Sequence, residues 1–254
     1  MADLFVKQAK KYSEIRPTYP PELYRFITSK CSGHSLAWDV GTGNGQAAIP
    51  LAGMFDKVIA TDSSETQLSH ATPHANVKYH HTNPATFSPS SLFDPHTVDL
   101  ITIAQAIHWL DMPTFYYQAR LLLRPNGIIA AWCYTLPHIN PEIDQIVAKI
   151  YATSSEYWAP QRRYVDEELR TIEFPFKPVV DGKNGTGPFE FTAEQEMSSE
   201  GFLNYLRSWS AYETAKSRGK ELLGKEFVTR FEKVWGPDAV KVIKFPVFLR
   251  LGKV

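Results

Sequence analysis

Three glycines spaced by one residue, Gly41, Gly43 and Gly45, follow an apolar run and precede a helical stretch. Glycine admits positive φ and lets a ligand approach the backbone closely. The free N–H groups at the start of the helix add donors for a polar ligand. Alone, such a loop is a weak signal, with a ligand-free tight turn as its alternative. Asp62 changes its weight, because it ends the next apolar run. An acid about 20 residues beyond a glycine loop is spaced to accept from both hydroxyls of a ribose in an α/β nucleotide-binding unit. Asp62 also precedes Ser63 and Ser64, where it is placed to cap the next helix.

The spacing and charge of the loop bear on which nucleoside it suits. Dinucleotide loops read GxGxxG, the third glycine admitting close helix–strand packing. Here the pattern is GxGxG and Gln46 follows Gly45. Asp39 stands two residues before the first glycine. A carboxylate there repels a pyrophosphate and attracts the ammonium of a methionine moiety. Charge therefore favours S-adenosylmethionine (SAM) over NAD. The plainer role for Asp39 is a hydrogen bond to the loop amides.

The elements that must hold these residues alternate. Residues 35–40, 57–62, 77–81, 98–104 and 127–132 read as strands, the last entered through the turn Arg124-Pro125-Asn126-Gly127. Between them, 46–54, 64–71 and 113–123 read as helices, with Pro50 disturbing the first and Asp111 placed to cap the third. Such alternation predicts a mostly parallel sheet covered on both faces. After Trp132 the pattern changes. Asn140-Pro141-Glu142 is a helix start, and Ile143, Ile146, Val147, Ile150 and Tyr151 recur at helical spacing. Residues 138–170 and 190–235 read as helical, with 199–212 as one helix, and 245–251 as a terminal strand. The expected division is a core over 1–136, a helical lid with added strands over 137–235, and a strand over 236–254 that completes the sheet.

Bulk properties narrow the classes. The 254 residues carry 27 basic and 27 acidic side chains, so nothing points to nucleic acid. Cys31 and Cys133 are too few and too far apart for a disulfide framework or a metal cluster, which fits a reducing compartment. No apolar run is long enough for a membrane span, and the N-terminus lacks the pattern of a secretory signal. The expectation is a cytoplasmic protein, monomeric or homodimeric, acting on a small molecule without metal, membrane or nucleic acid.

Read together, D-V-G-T-G-N-G-Q, A-T-D-S-S, A-Q-A-I-H-W-L-D and L-L-R-P-N-G-I-I resemble the class I SAM-dependent methyltransferases. Tyr12-x-x-x-Arg16-Pro17-x-Tyr19-Pro20 and the pair His108-Trp109 are similar to the small-molecule branch related to trans-aconitate methyltransferase. The resemblance covers residues 5–135. It implies a Rossmann-like fold whose C-terminal strand is antiparallel, SAM as cofactor and S-adenosylhomocysteine as product. It also implies roles: Asp39, Gly41, Thr42, Gly43 and Gly45 on the methionine part, Asp62 and Ser63 on the ribose, and Gln67, Asn83, Pro84 and Ala85 around the adenine. Gln67 departs from the methionine common there, and no acid stands in the loop after strand three. Tyr12 and Arg16 would close over the cofactor, and Gln105 would sit near the sulfonium.

At the mouth after the fourth strand, His108 is either a base for an attacking hydroxyl or carbon acid, or a hydrogen-bonding residue only. Trp109 either shapes the pocket or packs the core, the core being the commoner fate of such a residue. Trp209 is a further substrate-binding candidate, and Arg16 has a surface ion pair with Glu14 or Glu22 as its alternative. The expected activity is methyl transfer to a carboxylate or hydroxyl oxygen of a small organic molecule. An NAD-dependent oxidoreductase, or a methyltransferase fold repurposed as a non-methylating SAM-binding protein or cyclase, are the alternatives.

Overall fold

The computed structural model describes residues 16–83, 88–180 and 185–254. One seven-stranded sheet carries the strand order β3-β2-β1-β4-β5-β7-β6. Its strands are β1 (Leu36–Val40), β2 (Lys57–Asp62), β3 (Val77–His81), β4 (Val98–Ala104), β5 (Leu123–Tyr134), β6 (Phe189–Ser198) and β7 (Val240–Lys253). The first five are parallel, and β7 runs antiparallel to β5. Val40 of β1 lies level with Thr61 of β2, so the loop after β1 and the acid ending β2 emerge side by side. β1 and β4 are buried on both faces, the pattern of strands inside a covered parallel sheet.

The chain forms two compact units, each with its own packing. The larger holds Tyr19–Tyr134, Tyr164–Phe191 and Val247–Val254. On one face of its sheet, Trp38, Ile101, Ile103, Ile129, Ala131 and Cys133 pack with Phe115, Tyr116 and Ala119 of α4 (Met112–Leu122). Side chains alternate along a strand, so Asp39, Thr102, Ala130 and Trp132 belong to the opposite face, where Tyr24 of α1 (Pro21–Thr28) meets the Trp132 indole edge-on at 6.2 Å. Short helices α2 (Ala48–Ala52) and α3 (Glu65–Leu68) link β1 to β2 and β2 to β3, and α6 (Arg163–Asp166) is a further single turn.

The Arg124–Gly127 segment is not a turn before the strand. It lies inside β5, where the register slips from Val98↔Leu123 to Leu100↔Ile128 and Asn126 takes φ 62°. Asp111 precedes α4 but makes no side-chain cap; its carboxylate accepts from the Thr114 hydroxyl at 2.5 Å. Near the N-terminal end of β4, buried Asp99 accepts from the Ser35 and Leu36 amides at 2.8 and 2.9 Å and pairs with Arg124 at 2.7 Å. This ties the start of β1 to β4.

The smaller unit holds residues 16–18, Thr135–Arg163 and Thr192–Pro246. Its α5 (Pro141–Thr153) begins where the sequence predicts, the Asn140 side chain accepting from the Ile143 amide at 2.9 Å. The helix expected over 199–212 is instead two, α7 (Ser199–Arg207) and α8 (Ser210–Ser217). Trp209 between them is extended, and the Ser208 hydroxyl bonds the Tyr205 carbonyl at 2.6 Å, competing with helix continuation. On α9 (Lys225–Trp235), Phe231 and Trp235 pack on Phe202 of α7. The expectation of helix from residue 190 fails at β6, an edge strand with Glu190, Thr192, Glu194 and Glu196 exposed at every second position. That two-residue rhythm suits a strand with one wet face, and its glutamates guard the edge. No helix among the described residues is long and apolar enough to cross a membrane.

Candidate functional site

At the C-terminal end of β1 the chain passes through three positive-φ glycines, Gly41 (65°), Gly43 (59°) and Gly45 (92°). A Cβ on Gly41 would stand 2.6 Å from that of Ala106, so the loop after β4 approaches too closely for any side chain. Gly43 is different. A Cβ there would have only Gln67 Oε1 near it, at 3.8 Å. Its need for glycine is conformational, and the space in front of it is open to a ligand.

Asp62 clamps this loop. Its Oδ2 accepts from the Gly43 amide at 2.7 Å and its Oδ1 from the Ser64 amide at 2.8 Å. The helix cap that sequence offered as its plainer role belongs to Ser64, whose hydroxyl accepts from the Gln67 amide at 3.2 Å. A carboxylate has about four acceptor positions, so Asp62 keeps capacity for a diol while it shapes the glycine turn. The Thr42 amide donates to the Thr61 carbonyl at 3.0 Å, fixing the loop to the end of β2.

Asp39 lies beneath the loop, not on its surface. It is fully buried, and its oxygens accept from the Thr42 and Thr102 hydroxyls, both at 2.6 Å, in place of the loop amides. Burial pushes its pKa up to about 6, the two hydroxyl bonds opposing and the charge of Asp62 adding. A charge so placed acts across the loop as a field through the protein interior, where screening by solvent is weak. Tyr79, whose hydroxyl leaves no room for a Cβ on Gly45, donates to the Thr72 carbonyl at 2.9 Å.

The remaining predicted residues fall in several places. The Ser63 carbonyl accepts from His81 Nε2 at 3.1 Å, and Asn83 is exposed beyond β3. Tyr12, Pro84 and Ala85 lie outside the described residues. Gln105 takes φ 55°; its backbone amide donates to the Trp132 carbonyl at 2.8 Å and its side chain to the Tyr134 carbonyl at 3.2 Å. His108 is buried in the 3-10 turn Ile107–Trp109, with its ring 4.8 Å from that of Trp109. Trp109 is 57% exposed, which overturns its expected place in the core: the short turn sends Ile107 inward instead.

In the smaller unit, Arg16 donates to the Ser208 carbonyl at 2.6 Å; on α1 of the larger unit, Glu22 pairs with Arg25. Trp209 is buried among Tyr151, Trp158 and Tyr205, which makes it a packing residue of that unit. Sequence reasoning missed Thr102, Tyr24, Tyr79 and Trp132. For Thr102 a signal existed, a hydroxyl in the otherwise apolar run of β4. Among the described residues no group of three His, Cys, Asp or Glu is disposed to hold a metal ion.

Comparison with known proteins bears on this arrangement. The family described as "Methyltransferase domain" matches residues 38–129, from β1 into β5. A Dictyostelium discoideum protein named as a methyltransferase is 36% identical over 262 aligned positions, covering 99% of this chain and 95% of that protein. A Saccharomyces cerevisiae protein named as an S-adenosylmethionine-dependent methyltransferase is 30% identical, covering 81% and 79%. The solved structure of a protein titled a type II methyltransferase from Anaeromyxobacter dehalogenans superposes with a TM-score of 0.80 at 30% identity, covering 94% of this chain and 97% of that one.

Proposed function

The chain belongs to the class I SAM-dependent methyltransferases, and from that premise we propose that it methylates a carboxylate or hydroxyl oxygen of a small organic molecule. The loop and clamp fit the cofactor: Asp62 offers acceptor capacity for a ribose diol, and the space before Gly43 is one that any Cβ would enter. SAM supplies an electrophilic methyl group on a sulfonium. The chain's own residues have to bind the nucleoside, hold the methionine end and align the acceptor, and alignment alone carries much of such a displacement.

The observation that carries the hydroxyl part of this proposal is His108, a buried imidazole on the turn that follows β4. Ligands of open α/β sheets bind at the carboxyl ends of the strands. A hydroxyl acceptor must lose its proton as it attacks, and an imidazole there can take it. A carboxylate acceptor needs no base. The balanced charge of the whole chain supports a small acceptor over a nucleic acid. The antiparallel β7 supports methyl transfer over an NAD-linked oxidation, because it does not continue a second parallel nucleotide-binding half.

The test is transfer of labelled methyl from SAM to a panel of small carboxylic acids, phenols, alcohols and amines. Label in acids or hydroxyl compounds is expected; label confined to amines overturns the assignment. If a phenol or alcohol is the acceptor, His108→Gln should lower kcat by about 100-fold or more. If a carboxylic acid is, the same change should leave kcat nearly intact. Before any acceptor is known, the cofactor itself can be checked by thermal melting. SAM and S-adenosylhomocysteine at about 100 times Kd should stabilise by about 3 kcal/mol through mass action. NADH should not, and equal shifts with all three would contradict the cofactor assignment.

A further inference from the structure

Trp132 is a residue that the chemistry described so far does not use. It lies within β5, is fully buried, and its indole Nε1–H has no acceptor among the described residues. Buried donors are almost always paired, and one left alone calls for an explanation. Its position supplies one. Thr102 lies level with Ala130, Ala104 with Trp132, and Asp39 with Thr102. By alternation the indole therefore shares the sheet face of Asp39 and stands one side-chain step nearer the ligand-bearing edge. Tyr19 and Tyr24 pack edge-on against it, at 5.3 and 6.2 Å. Tyr24 in turn donates to the Gln46 carbonyl at 3.4 Å, in the residue that closes the glycine loop. The Gln46 Nε2 is a second buried donor without an acceptor among the described residues.

The Trp132 donor thus lies on the sheet face of the buried Asp39, and the Gln46 donor belongs to the residue directly after Gly45. The amino-acid end of SAM is a zwitterion, with an ammonium for the acid and a carboxylate that needs donors. We propose that Trp132 Nε1–H, assisted by Gln46 Nε2–H, receives the carboxylate of the cofactor's methionine end. The assignment rests on SAM being the cofactor. It makes Trp132 a binding residue that fixes how far the methionine arm extends, and so where the sulfonium stands.

Trp132→Phe keeps an aromatic ring in the cluster and removes the N–H. Calorimetry should show S-adenosylhomocysteine binding weakened about 10-fold, the range of one lost hydrogen bond to a charged group. Methylthioadenosine, which lacks the amino-acid end, should bind both proteins alike. Equal loss for both ligands, or loss for neither, overturns the proposal. A second measurement needs no variant. The chain has six tryptophans, and in the wild-type protein the Trp132 indole proton, assigned through bonds, should move downfield with S-adenosylhomocysteine and not with methylthioadenosine. An unmoved proton, or the same movement with both, also overturns it. Failure of the wild-type protein to bind S-adenosylhomocysteine at all would instead remove the cofactor reading on which the proposal stands.

Discussion

Asp62→Ala is expected to weaken SAM binding by about 100-fold, close to 3 kcal/mol, while His108→Ala changes it by no more than about threefold. The asymmetry follows from what each side chain touches. Asp62 accepts from the amides of Gly43 and Ser64, so its removal frees the glycine turn and deletes the ribose acceptor together. His108 sits on the turn after β4, outside the Gly41–Gly45 loop. Asn at position 62 should rescue little. One of its two ends is an N–H donor, and both positions it would fill face backbone donors. Calorimetry with S-adenosylhomocysteine measures the effect, and a 2′,3′-dideoxy analogue separates its two parts. The analogue should bind the wild type poorly and lose on Asp62→Ala only the part due to the freed turn, because the ribose interaction is already absent from it. A larger loss for His108→Ala than for Asp62→Ala would show that the ribose assignment is wrong.

The parallel half of the sheet was legible because burial on both faces writes continuous apolar runs. β2 and β4 begin and end where those runs do. Legibility failed where local chemistry and tertiary context diverge. Arg-Pro-Asn-Gly has the composition of a turn, yet it is a bulge carried inside β5 because the strand on either side stays paired with β4. β6 alternates exposed glutamates with half-buried residues, a weak signal beside the helical pattern that follows it. In the site, spacing along the chain exposed Gly41–Gly45 and Asp62 to inspection. It could not show that Asp39 meets Thr102, which lies 63 residues away. Nor could it show that the Trp132 indole faces away from the main apolar cluster, since that depends on strand register. Residues tied to the backbone turn were readable; residues tied through the sheet were not.

Asp39→Asn should make the protein more stable and a poorer binder of SAM. An aspartate normally titrates near 3.8, and burial raises Asp39 to about 6. A carboxyl whose folded pKa lies above its unfolded value holds its proton more tightly when folded. Stability therefore falls as pH rises from about 4 to about 6 and stays at the lower level above that. The neutral Asn escapes this loss, which amounts to at most about 3 kcal/mol at about pH 7.5. Chemical denaturation above and below the interval should show the variant's advantage appear only on the alkaline side. A buried charge that costs stability persists where it serves a ligand, and the ligand here brings two positive groups. Bound SAM should favour the ionised acid. Wild-type affinity should consequently fall about 10-fold between about pH 7 and about pH 5 as Asp39 takes up its proton. Working below about pH 7 keeps the ligand's own amine charged throughout. In the Asn variant the affinity should be low and flat across that range. A variant that binds SAM as tightly as the wild type, with the same pH profile, would reduce Asp39 to a tie between the Thr42 and Thr102 hydroxyls.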